Sequence, residues 1–175
     1  MFKKTKIINL IGCPGTGKTL ISALIFAEMK KRHLQVELVQ EYIKRLIWEE
    51  NTEALQDQFK IAEIQYRSIA SINGKIDNIV LDTSLVNNIY YNKPQHTETI
   101  KSWLDEFNNI FIFIERNENF PFETQGRIHN LTESIQIEKD LKKLIDKLQL
   151  KNVIYIKSNS DQTEITNLLE KIFEF

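Results

Sequence analysis

The chain is poor in the residues that make a sequence irregular or crosslinked. Its 175 residues include only 5 glycines and 3 prolines, too few for a long unstructured linker. A single cysteine, Cys13, excludes an intramolecular disulfide and fits a reducing compartment. The formal net charge is -1. With neither sign in excess, the chain lacks the footprint of a protein that coats nucleic acid, which leaves room only for a local basic groove. Long apolar runs are missing too. Lysines precede the apolar run 7–11, as in a secretory leader, but that run is short, broken by Asn9 and followed at once by Gly12. A leader needs more apolar length, and a membrane span needs about 18 residues or more. A cytoplasmic chain that begins directly with a strand is expected, with no membrane partner. His33, His96 and His129 are scattered without metal-ligand spacing.

What remains is an ordinary globular composition, 42% hydrophobic and 27% charged, with length for one domain over residues 1–175. Short apolar runs rich in β-branched residues at 7–11, 36–39, 79–81, 110–114 and 153–156 read as buried strands. Helical spacing lies between and after them, at 19–32, 42–50, 53–71, 84–91, 97–107, 132–148 and 163–173. In the 53–71 segment Leu55, Phe59, Ala62, Tyr66 and Ile69 share one face. Asn73-Gly74 ends it, and Ser160 or Asp161 caps the last helix. Strands alternating with helices demand a parallel sheet covered on both faces through right-handed crossovers. The expected fold is therefore α/β, a five-stranded parallel sheet in a three-layer α/β/α arrangement. Trp48 and Trp103 fall on helices and read as packing residues, although Trp48 lies near enough to Glu41 to border a pocket.

Gly12-Cys13-Pro14-Gly15-Thr16-Gly17-Lys18-Thr19 satisfies G-x-x-x-x-G-K-[ST] at every fixed position, between a strand and a helix. The chemistry needs each part. Gly12, Gly15 and Gly17 let the backbone wrap an anion, with the amide of Thr16 among those turned inward. The next helix adds its positive N-terminus. Lys18 supplies a cation for the β- and γ-phosphates, and Thr19 offers a hydroxyl to Mg²⁺. Cys13 occupies a variable slot and reads as a bystander.

Three weaker constellations gather around this loop. Asp82 ends the third strand, at the sheet edge where α/β proteins bind ligands, and can hold the metal shell or a substrate hydroxyl; alternatively it caps the next helix. Thr83 follows it, where motor ATPases place a Glu to polarise water. Glu41 lies just past the second strand and can accept a proton from an attacking hydroxyl. Arg45, four residues on, can neutralise Glu41 or hold an anionic substrate group. The plainer alternative is a surface ion pair worth about half a kcal/mol. Finally, residues 115–130 have no clear period and carry Arg116 and Arg127. Such a stretch is either a solvated loop or a lid whose arginines close over phosphates.

Together these segments resemble the nucleoside- and nucleotide-kinase branch of the P-loop NTPase proteins. More narrowly they resemble ribosylnicotinamide-kinase-like proteins, including small phage-encoded ATP-binding proteins of AAA type. The residues concerned are Glu41-Tyr42-Ile43-Lys44-Arg45, the helix bearing Gln65, Asp82-Thr83-Ser84, Arg116 and Gly126-Arg127. The resemblance implies ATP and Mg²⁺ as cofactors, and transfer of the γ-phosphoryl to a nucleoside-like hydroxyl. It makes Glu41 or Asp82 the base, Gln65 a substrate-recognition residue, and Arg116 with Arg127 the lid cations. The acceptor is a deoxynucleoside, a nucleoside monophosphate or a modified base in DNA. No adenylyltransferase segment accompanies the motifs, which weighs against a pyridine-nucleotide role. The competing expectation is an ATP-binding regulator with little turnover. A GTPase switch would need Asn-Lys-x-Asp, and Asn92-Lys93-Pro94-Gln95 lacks the Asp.

Overall fold

The computed structural model describes residues 4–119, 121–122 and 128–173. Strands β1 (Lys6–Ile11), β2 (Val36–Val39), β3 (Asn78–Leu81), β4 (Asn108–Glu115) and β5 (Ile154–Lys157) form one sheet in the order β2-β3-β1-β4-β5. Every pairing is parallel. The helices are α1 (Lys18–Lys31), α2 (Tyr42–Trp48), α3 (Thr52–Gln56), α4 (Gln58–Ile72), α5 (Leu85–Tyr91), α6 (Thr97–Asp105), α7 (Leu131–Lys147) and α8 (Gln162–Phe173).

Because side chains alternate along a strand, β1 feeds two cores. Ile7 and Ile11 join Ile79, Leu81 and Phe113 under α4, α5, α6 and α7. Ile8 and Leu10 join Val80, Ile112 and Ile114 under α1 and α8. The expected three layers follow. Asn9 is the buried polar residue of this central strand. Its Nδ2 donates to Asn109 Oδ1 at 2.9 Å, and its Oδ1 accepts from Ser84 Oγ at 3.1 Å. Ser84 is also the N-cap of α5, accepting from the Val86 amide, so Asn9 fixes where that helix starts.

The expected helix over 53–71 is two helices. Asp57 leaves helical geometry (φ -88, ψ 74) and its side chain accepts from the Lys60 amide, stopping α3 and capping α4. Asp161, rather than Ser160, caps α8: its Oδ1 accepts from the Glu164 amide, and Glu164 Oε2 accepts from the Asp161 amide. Asn130 and Glu133 build the same reciprocal cap at the start of α7. Trp103 packs as expected, stacked against Phe59 and Tyr66. Trp48 does not: it is 70% exposed at the end of α2, because that helix buries only Leu46. Among the described residues no helix is long and apolar enough to cross a membrane, and no group of three or more His, Cys, Asp or Glu side chains comes together that could hold a metal ion.

Phe113 is fully buried in the central part of β4. Phe113→Ala is expected to lower unfolding free energy by about 3–5 kcal/mol, measurable as a shift in the urea midpoint at unchanged m-value.

Candidate active site

The phosphate loop follows β1 directly. A Cβ on Gly12 would lie 2.9 Å from Thr16 Oγ1 and 3.2 Å from the Ile114 carbonyl, so a side chain there would push the loop away from β4. Gly15 and Gly17 have φ of 81 and 78, the left-handed region that side chains disfavour. A Cβ on Gly15 would also strike the Phe122 ring at 2.5 Å. Gly17 is the N-cap of α1 and brings no side chain to it, so the first-turn amides keep their capacity for an anion. Thr16 Oγ1 donates to the Cys13 carbonyl at 2.9 Å, closing the loop. Lys18 Nζ donates to the carbonyls of Gly12 (3.0 Å) and Cys13 (3.1 Å).

Asp82 comes to this loop because β3 lies beside β1, with Asn9 opposite Leu81. The Thr19 hydroxyl donates to Asp82 Oδ2 at 3.0 Å, and the Lys44 ammonium lies 3.5 Å from the same oxygen. Lys44 also donates to Thr19 Oγ1. Asp82 Oδ1 is buried and has no hydrogen-bond partner among the described residues. A hydroxyl beside a carboxylate with one unused buried oxygen is a hard-oxygen set that fits Mg²⁺, so Thr19 and Asp82 are the residues that would hold it.

Glu41 is the residue just before α2. It lines a cleft of about 100 Å³ that opens on Pro14 and Lys18, with Ile43, Ile47 and Tyr91 as apolar walls. A smaller depression of about 20 Å³ continues it, sharing Glu41, Gln58, Asn87 and Tyr91 and reaching Gln65, Thr83 and Asn88. Burial, and then the charge of Glu41, push the Tyr91 phenol well above its ordinary range, so Tyr91 stays neutral. Gln65 Nε2, Asn87 Oδ1 and Asn88 Oδ1 are buried without hydrogen-bond partners among the described residues. Asn87 is nonetheless anchored, its Nδ2 donating to the Gly12 carbonyl at 2.9 Å. Each unpaired buried polar atom costs about 1–3 kcal/mol, a cost that a bound polar ligand would relieve.

Arg45 turns the other way. Its side chain is 74% exposed and pairs with Glu49 Oε1 at 2.7 Å, a surface i,i+4 pair with the residue one turn on rather than with Glu41. It lines neither part of the cleft. The residue that α2 directs at the loop is Lys44. Both flank the Glu41 position on one helix face, and only the packing of α2 decides which points inward.

Arg116 meets the loop from the far side. Its Nη2 donates to the Pro14 carbonyl (2.8 Å) and to Ser134 Oγ (2.5 Å), and its guanidinium lies over the Phe122 ring at 5.4 Å. Its amide donates to Glu138 Oε2 at 3.1 Å, and the Asn117 amide donates to Ser158 Oγ at 2.9 Å. Glu115 is held below the usual carboxylate range by hydrogen bonds from Lys142 and Lys157. The start of the 115–130 stretch is thus fastened to α7 and to the end of β5 rather than hanging free. Arg127, with Gly126, lies outside the described residues. Cys13 is buried behind the loop, with Arg116 Nη2 3.5 Å from its sulfur. Neither Lys44 nor the Asn87–Asn88 pair could be singled out from the sequence, where they look like any polar helix residue.

A family model described as an AAA domain matches residues 7–162. No curated protein matches the sequence. The fold is similar to that of deoxyadenosine kinase from M. mycoides with bound dCTP, at TM-score 0.62 and 13% identity, covering 97% of this chain and 100% of that one. Thymidylate kinase from Candida albicans follows at TM-score 0.60 and 13% identity, covering 98% and 92%. The Mycobacterium tuberculosis APS kinase in complex with AMPPNP and APS gives TM-score 0.57 and 9% identity, covering 98% and 99%. At these identities the likeness is one of fold.

Among the described residues the hydrogen bonds of the Lys18 ammonium go to carbonyls of its own loop, so Lys18→Ala is expected to leave the thermal melt unchanged. Loss of its charge-assisted hydrogen bonds, worth about 1.5–3 kcal/mol each, is expected to weaken binding of a fluorescent ATP analogue by about 10- to 100-fold, read by titration.

Proposed function

The chain belongs to the AAA domain family, and on that premise we propose that it is a Mg²⁺-dependent kinase transferring the γ-phosphoryl of ATP to a hydroxyl of a nucleoside- or nucleotide-like acceptor. The observation that carries this reading is the cleft running from Lys18 to the unpaired amides of Gln65, Asn87 and Asn88. A protein that only bound or hydrolysed nucleotide would have no use for buried, unpaired polar groups beyond the phosphate loop. A planar acceptor ring carrying donors and acceptors would satisfy them between the apolar walls of Ile43 and Tyr91.

The roles divide by position. Loop amides, the α1 N-terminus and Lys18 hold the phosphates. Thr19 and Asp82 would hold Mg²⁺, which when bound draws charge from the β- and γ-phosphates. Asp82 is engaged with Thr19 and lines neither part of the cleft, whereas Glu41 lines both. Glu41 is therefore assigned as the base. The acceptor oxygen attacks the γ-phosphorus, the bond to the bridging oxygen breaks, ADP leaves, and the hydroxyl proton passes to Glu41. Gln65 recognises the acceptor. Arg116 steadies the loop through Pro14, and Arg127 remains the candidate lid cation. Arg45 is not assigned a role in acceptor binding. Thr83 in place of a water-polarising Glu favours transfer over hydrolysis.

The test is transfer from γ-labelled ATP with Mg²⁺ to nucleosides, nucleoside monophosphates, ribosylnicotinamide and short DNA. Label on one acceptor, absent with Lys18→Ala, supports the proposal. Tight ATP binding with no labelled acceptor would instead mark a regulator. With the acceptor identified, Glu41→Gln is expected to lower kcat by about 10²- to 10⁴-fold. Gln65→Leu is expected to raise KM for the acceptor and leave KM for ATP unchanged.

A further inference from the structure

Lys44 sits on the two groups assigned above to the metal. Its ammonium is 3.5 Å from Asp82 Oδ2 and donates to Thr19 Oγ1, while Thr19 donates to that same carboxylate oxygen. The partners differ in freedom. The Asp82 side chain is 3% exposed and fixed at the end of β3, whereas that of Lys44 is 36% exposed and lines the cleft beside Lys18. A carboxylate so buried needs a compensating charge, and the flexible lysine stem delivers one that can leave again.

We propose that Lys44 is a built-in counter-ion of the metal site. It neutralises Asp82 and occupies the Thr19 hydroxyl in the unloaded protein, and it must release both when a divalent cation binds. The inference rests on the reading that Thr19 and Asp82 take the metal. An ammonium and a divalent cation cannot share two oxygens, because like charges a few ångströms apart repel strongly in a partly buried site. Thr19 is committed as well: its proton points to Asp82 and a lone pair is used by Lys44. Once displaced, the ammonium remains in the cleft, one helical turn from Glu41, where it faces the transferred phosphoryl and the acceptor. Metal loading would therefore change the charge of the acceptor site, and Lys44 sets how strongly the empty site resists metal without nucleotide.

The measurement is Mn²⁺ binding to the full chain without nucleotide, read from the free-Mn²⁺ electron paramagnetic resonance signal. Lys44→Met removes the charge at similar length, Lys44→Gln repeats the loss with a polar side chain, and Lys44→Arg keeps the charge. Both neutral variants are expected to bind Mn²⁺ about five- to tenfold more tightly than the unaltered chain, with Lys44→Arg close to it. Asp82→Asn should weaken binding in every background. Equal or weaker Mn²⁺ binding in the neutral variants, with Asp82→Asn still weakening it, would overturn the counter-ion role and leave the metal site standing. Mn²⁺ binding indifferent to Asp82→Asn would remove the metal site and the counter-ion with it.

Discussion

Everything at the site depends on β1 and β3 lying side by side in parallel. The register that sets Asn9 opposite Leu81 brings the residue after β3, Asp82, next to the turn that leaves β1. Thr19, in the first turn of α1, can then reach across and donate to it. A slip of one residue would send Asp82 to the opposite face of the sheet, because side chains alternate along a strand. The register is protected from both sides, since each face of β1 is packed by its own set of helices and neither can accept the other's residues without leaving voids.

That sheet pairing also explains the polar residues in the core. Asn9 is buried in the central strand, yet its amide is satisfied by Asn109 and Ser84. Through Ser84 it fixes the start of α5, and α5 carries Asn87 and Asn88 to the cleft. Asn87 in turn reaches back to the first glycine of the phosphate loop. The cleft floor and the loop are therefore joined by hydrogen bonds, so placing one places the other. Among the described residues, the buried side-chain atoms left unpaired lie in this region and at the back of the loop: Asp82 Oδ1, Gln65 Nε2, Asn87 Oδ1, Asn88 Oδ1, and Arg116 Nε behind Pro14. Protein interiors rarely leave such groups idle, and their concentration around one loop is the physical argument for ligands there.

Charge is balanced locally at the same place. Lys18 donates to its own loop's carbonyls, Lys44 compensates Asp82, and Arg116 braces Pro14 from behind. On the proposed function, cations held on replaceable partners in this way can turn to phosphate without unfolding anything. Arg116 is the exception: held by Ser134 and stacked over Phe122, it acts as part of the scaffold.

The sequence by itself determined the phosphate loop, the five strands and the α/β class. The loop's eight residues are contiguous, so glycine dihedrals, the lysine and the hydroxyl are all encoded within a few bonds, and buried strands announce themselves as apolar runs. The position of Asp82 at the end of β3 was legible for the same reason, as the first polar residue after such a run. What only the tertiary structure decided is the rest of the cleft. The choice of Lys44 over Arg45 turns on how α2 packs, and the two residues are indistinguishable by spacing. The break at Asp57, the exposure of Trp48 and the fastening of Arg116 to α7 depend on partners far along the chain. Gln65, Asn87 and Asn88 sit on two helices, and only the packing of α4 against α5 over the sheet brings their amides to one floor, a contact between segments that no local pattern records.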